Sequence, residues 1–165
     1  MDEKKDQELP GLATTLIIPD PDDPEAHVLE LDELWSFVLC CANQVWIWIA
    51  LCRKTRQVVA YAIGDRSKET CRKLWHAIPP AYRESTCYSD FWAAYHAIIP
   101  DNQHIPVGKE TGETAHVERW NNTLRQRLGR FVRKTLSFSK SVIMHGIAIR
   151  LFLHRYNLEI AILRG

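Results

Sequence analysis

Asp32 lies inside the run Val28-Leu29-Glu30-Leu31-Asp32-Glu33-Leu34-Trp35, which otherwise suits a central strand, and aspartate is depleted in strands. A carboxylate buried there is costly unless a metal ion or an arginine offsets its charge. Glu33 points to the opposite face, because successive strand residues alternate. Alternation alone leaves open which acid faces a site, and an edge strand would leave both in solvent. Asp90 follows Tyr88-Ser89 at the C-terminal end of a short strand. Ligands of open mixed sheets gather beyond strand ends, although an aspartate at that place also serves as a plain helix N-cap. Glu118 falls in the first turns of a helix, where the macrodipole favours a carboxylate. With Asn122 and Arg125 at i+4 and i+7 it forms a polar stripe, with an acid for metal and an amide and a guanidinium for phosphate. Three carboxylates at one point repel each other, so Mg²⁺ or Mn²⁺ is expected. Two such ions about 4 Å apart stabilise the attacking and leaving oxygens of an in-line phosphoryl displacement.

The elements that must position these acids follow from periodicity and breaks. Residues 1–27 are polar and acidic, with Pro10, Pro19, Pro21 and Pro24, and read as a flexible arm; the folded domain spans 28–165. Strand-like runs at Val28 to Cys40, Val45 to Cys52 and Val58 to Gly64 are separated by Ala42-Asn43-Gln44 and Lys54-Thr55-Arg56, connections short enough to require antiparallel hairpins. Ser67 caps a helix carrying Cys71, Leu74, Trp75 and Ile78 on one face, which Pro79-Pro80 stops. A strand from Ser85 to Ser89, a helix from Phe91 to Ile99 and an edge strand from His104 to Val107 follow, the last holding Pro106. Helices from Thr114 to Phe131, with Val117, Asn121, Leu124 and Leu128 inward, and from Ser139 to Asn157 complete the chain. This order predicts an α/β (α+β) protein with a mixed five-stranded sheet flanked by helices and an extra C-terminal helix, the order of the ribonuclease H-like fold.

The 165 residues carry 46% hydrophobic side chains, enough for one core, and a formal charge of +1. The charge is unevenly spread. The first 33 residues are acidic, whereas from Arg119 onward Glu159 is the lone acid among ten basic residues, which suits a polyanionic partner or an ordinary solvated helix face. Cys40, Cys41, Cys52, Cys71 and Cys87 form no C-x-x-C pair and read as reduced core thiols. Trp46, Trp48, Trp92 and Trp120 read as core aromatics. No signal-peptide pattern or long apolar span is present, so a cytoplasmic protein without a membrane segment is expected.

Three segments in this order resemble the transposases of the insertion sequence 1 family, a branch of the DDE transposase and integrase group. They are Leu31-Asp32-Glu33-Leu34-Trp35-Ser36-Phe37, Tyr88-Ser89-Asp90-Phe91-Trp92-Ala93-Ala94-Tyr95, and His116-Val117-Glu118-Arg119-Trp120-Asn121-Asn122 followed by Arg125. The basic segment Arg133-Lys134-Thr135-Leu136-Ser137-Phe138-Ser139-Lys140 adds to the likeness. The resemblance implies that Asp32, Asp90 and Glu118 are the metal-holding catalytic triad, that Arg125 is the basic catalytic position, and that Glu33 is a neighbour. It implies metal-dependent cleavage at element ends and strand transfer into double-stranded target DNA, by a homo-oligomer in the nucleoid of a bacterial or archaeal cell. Arg119, Asn122, Arg125, Arg127, Arg130, Arg133, Lys134 and Lys140 are the expected DNA contacts. No cysteine pair or helix-turn-helix pattern precedes Val28, so an upstream reading frame joined by frameshifting is expected to supply end recognition. Two other readings are a nuclease without strand transfer and a non-catalytic, DNA-binding regulatory remnant.

Overall fold

Val28–Val38 forms the central strand, β1, and everything that positions the acids is built on it. The structure, a computed structural model, describes residues 11–128 and 140–164. Strand β2 (Cys40–Cys52) pairs antiparallel with β1, and β3 (Val58–Gly64) pairs antiparallel with β2. Helix α1 (Lys68–Ala77) follows, then β4 (Thr86–Ser89), α2 (Ala93–Ile98) and β5 (His104–Pro106). The chain continues through α3 (Ala115–Arg127) to α4 (Val142–Arg164). The sheet order is β3-β2-β1-β4-β5, with β4 and β5 parallel to their neighbours. This is the ribonuclease H-like arrangement expected from the element order, with the Pro106 strand at an edge.

Both faces of the sheet are covered, as the unbroken apolar run of β2 requires. Trp48, Ala50 and Cys52 alternate onto the face covered by α1 and α2, packing with Leu74, Ile78 and Tyr95. Ile47, Ile49 and Leu51 point the other way and pack with Val117, Trp120 and Leu124 of α3 and Ile149 and Leu153 of α4. The same alternation divides β1. Leu29 and Leu31 join the first core and Leu34 joins the second.

Several details depart from the expectations. Ala42-Asn43-Gln44 is not the hairpin break; the chain reverses at Leu39, which adopts φ 66°, and the polar triplet lies within β2. Residues 39–44 are exposed, so this hairpin end extends into solvent, where polar strand residues are tolerated. Cys40 and Cys41 are therefore exposed, whereas Cys52, Cys71 and Cys87 are buried thiols as expected. Helix α4 runs on past Asn157 because that side chain does not cap the helix. It is buried, accepts from Val58 N at 2.9 Å, and donates to Val58 O at 2.8 Å and Thr15 Oγ1 at 3.0 Å. Residues 11–27, read as part of a flexible arm, lie against the fold: Gln57 links Ile17 N and Thr15 O, Lys54 pairs with Asp23, and Ala26 is buried. Among the described residues no helix is long and apolar enough to cross a membrane.

Candidate active site

Sheet register brings the first two acids together. Val28, Leu29 and Glu30 of β1 pair with Thr86, Cys87 and Tyr88 of β4, and the same register carried two residues on sets Asp90 beside Asp32. Asp90 lies just past the end of β4, where its Oδ1 accepts from Trp92 N at 2.9 Å. That bond closes a side-chain turn; the N-cap of α2 is Trp92, not Asp90. Glu118 comes from the first turn of α3, with Thr114 Oγ1 donating to its Oε1 at 3.0 Å.

The charges of Asp90 and Glu118 both act on Asp32, whose pKa is raised from 3.8 to about 7. Burial is the main cause, followed by the negative charge of Glu33, and the charges of Asp90 and Glu118 add to it. Asn121 Nδ2 donates to Asp32 Oδ2 at 2.6 Å, while Asn121 Oδ1 is buried with no partner among the described residues. A cleft of about 320 Å³ opens over this point, lined by Asp32, Glu33, Leu34, Lys109, Glu118, Asn121, Asn122 and Arg125. Asp90 is not in its wall, although its charge acts on both Asp32 and Glu33.

The acids flanking Asp32 have other work. Glu30 is fully buried and accepts at Oε2 from the backbone of His116 and Val117, both at 3.0 Å, so it caps the start of α3 from the sheet. Its Oε1 takes Arg53 Nε at 2.8 Å and His116 Nδ1 at 2.6 Å. His116 thus packs on Glu30. Glu33 points to the opposite face, accepting from Tyr95 Oη at 2.6 Å and from Arg66 Nε and Nη2 at 3.0 and 2.7 Å. Burial raises its pKa, and the bonds from Tyr95 and Arg66 oppose the rise. Arg66 also lies over the rings of Trp92 and Trp46, at 4.1 and 4.9 Å. These two tryptophans are half-buried partners of a guanidinium, whereas Trp48 and Trp120 are core residues as expected.

Of the expected DNA contacts, Asn122 and Arg125 line the cleft. Arg119, Arg127 and Lys140 are exposed, and Arg127 is paired with Glu159 at 3.4 Å. Arg130, Arg133 and Lys134 lie outside the described residues. Sequence reasoning missed Glu30, Lys109 and the polar role of Asn121, which was placed on an inward apolar stripe. An acid in a buried strand and an amide on a buried helix face were the available signals for two of them.

The candidate donors are carboxylate oxygens, suited to a hard divalent cation, and burial together with the neighbouring acids disfavours a bare charge on Asp32. In donor type and charge the residues fit such an ion. Among the described residues, however, no three His, Cys, Asp or Glu side chains are gathered closely enough to hold a single ion.

A pH dependence follows for the metal-free protein. Asp32 binds its proton more tightly folded than unfolded, so its contribution to stability is full below about pH 4 and is lost as pH rises through about 7. Denaturation midpoints are expected to fall between about pH 4 and 7, less so in Asp32→Asn, with Mg²⁺ restoring stability at the alkaline end. An identical decline in the variant would assign the titration to another group.

The family model for the IS1 transposase matches residues 26–158. The chain is 41% identical over 133 residues to the insertion element iso-IS1n protein InsB of Shigella dysenteriae, covering 79% of this chain and 97% of that protein. It is 35% identical over 125 residues to the IS1 protein InsB of Shigella flexneri, covering 76% and 92%. It also resembles, at 15% identity and a TM-score of 0.57, a chain of the cryoEM structure of the simian T-cell lymphotropic virus intasome in complex with PP2A regulatory subunit B56 gamma. That match covers 78% of this chain and 47% of the other, and it concerns the fold. A profile spanning most of the chain and relatives matched over nearly their whole length lead to one assignment: the chain belongs to the IS1 transposase family.

Proposed function

We propose that this domain cleaves the ends of an insertion element and joins them to target DNA in a reaction that depends on Mg²⁺ or Mn²⁺, with Asp32, Asp90 and Glu118 as metal ligands. The observation that supports this most is a half-buried Asp32 that shares one cleft with Glu118, feels the charge of Asp90 and has its carboxyl raised to about 7. Asp32, Asp90 and Glu118 would hold the divalent ions, which would supply activation of the attacking water or 3′ hydroxyl and charge neutralisation at the leaving oxygen.

The chain's own residues hold the reacting groups. Asn121 fixes the Asp32 carboxylate, and Thr114 fixes that of Glu118. Lys109, Asn122 and Arg125 present donors around the same cleft, to carry the phosphates flanking the scissile bond. Arg119, Arg127, Arg130, Arg133, Lys134 and Lys140 extend that contact along the duplex. The working form is a homo-oligomer that pairs two element ends, acting at the nucleoid, with end recognition supplied by a region fused through frameshifting from an upstream frame.

The test is a joining assay with an element-end duplex, a supercoiled target and the frame-fused protein. Joined product is expected with Mn²⁺ or Mg²⁺ and none in EDTA. Cleaved ends that never join would instead indicate a nuclease, and joining in EDTA would remove the metal from the reading.

A further inference from the structure

A second cleft, of about 190 Å³, lies where the β2–β3 turn, α3 and the end of α4 meet. Arg56, Arg119 and Arg164 line it with Trp120 and Tyr156, and no acidic residue does. Both clefts use α3, on opposite flanks of its buried stripe: Glu118, Asn122 and Arg125 face the first, Arg119 and Thr123 the second.

Two polar atoms behind its wall lack acceptors: Arg56 Nη1 and Trp120 Nε1 are closed off from solvent with no hydrogen-bond partner among the described residues, and Trp120 is only 3% exposed. Buried donors of this kind are rare and point to an absent acceptor. The turn is also built to hold Arg56. Its backbone sits at φ 66°, unusual for a residue with a long side chain. It is fixed there by Arg56 N donating to Cys52 O at 2.9 Å and by Tyr156 Oη donating to Arg56 O at 2.8 Å. Strain kept in place by surrounding bonds is a feature of ligand clamps. Burial and the charges of Arg164 and Arg119 pull the Arg56 guanidinium below its ordinary pKa, although Glu30 opposes this.

We propose that this cleft is an oxyanion site that takes a backbone phosphate of bound DNA, one displaced from the scissile phosphate by the breadth of α3. Three guanidiniums around one cleft match the acceptor-rich, singly charged phosphodiester. The choice of DNA as the source of that phosphate rests on the function proposed above; the anion site itself rests on the cleft.

Two measurements test the two parts, and neither needs cleavage. The first is thermal unfolding of the full chain, with tryptophan fluorescence, in pyrophosphate against chloride of equal ionic strength. Pyrophosphate is expected to raise the midpoint of the wild type and to have little effect on Arg56→Gln or Arg164→Gln. Arg164 is exposed at the end of α4, so its variant keeps the test open should Arg56→Gln fail to fold. The second is the dependence of duplex binding on salt, where Arg164→Gln is expected to lower the slope of log K against log salt by about 1. Equal pyrophosphate stabilisation of wild type and variants would overturn the site. A variant that loses pyrophosphate stabilisation but keeps its salt slope would overturn the DNA assignment and leave a small-anion site. A protein that binds DNA with the altered slope but never cleaves it would retain this inference while the catalytic reading failed.

Discussion

Asp32→Asn, Asp90→Asn and Glu118→Gln are each expected to lower cleavage by about 10³-fold or more while the protein stays folded, the scale seen when one preorganised charged group is removed from a site that acts as a unit. Each change is close to isosteric and removes one negative charge from the cluster. Asp32→Asn should even stabilise the metal-free protein near pH 8, because burial and the neighbouring carboxylates all disfavour the charge it removes. Loss of activity alongside unchanged or higher stability separates a ligand role from a structural one. Double variants should be no worse than the single ones, since the three act together. Substantial cleavage surviving any one of these changes would remove that residue from the catalytic set.

Glu30→Ala is expected to reduce stability by about 3–5 kcal/mol, the range for breaking a buried pair and leaving its partner uncompensated. The change would leave Arg53 with Glu113 as its remaining carboxylate partner and would strand two backbone N–H groups of α3. Glu30→Gln should cost less, because an amide oxygen can still accept from the helix backbone while Arg53 keeps its pair with Glu113. Urea denaturation measures both. A loss below about 1 kcal/mol in Glu30→Ala, no more than an ordinary substitution, would mean that the helix start is held by its apolar contacts with the sheet. The effect should reach the site, because Glu30 fixes the turn of α3 that carries Glu118.

Asp32, Asp90 and Glu118 could be singled out as candidates from local pattern, as an aspartate in an apolar strand, another at a strand end and a glutamate leading a polar helix stripe. Each was ambiguous alone, and only the family motifs joined them into one set. Their neighbours were not legible, because their partners are distant in sequence. Glu30 bonds to His116 across 86 positions, and Asn121 bonds to Asp32 across 89. Period and propensity report only which face of an element a residue occupies, so Asn121 read as one more inward position. The pairing of the first three strands could be read from connection lengths, since short turns force antiparallel pairs, whereas the places of β4 and β5 beyond β1 could not. The length of the first hairpin could not, because exposed polar residues such as Asn43 resemble a turn whether they end a strand or extend it past the sheet. The buried Asn157 misled in a similar way, its bonds to Thr15 and Val58 being invisible from its own helix.

The bond between Thr15 and Asn157 joins residues 142 positions apart. Closing so long a loop adds only slowly to the entropic penalty, but topologies rich in such distant pairings fold slowly. The cleft depends on the same kind of pairing, because β1 with Asp32 and α3 with Glu118 are joined by contacts such as Glu30 with Val117 and Asp32 with Asn121. The β1–β2 hairpin closes between neighbouring segments, whereas the cleft is expected to form among the last parts of the fold.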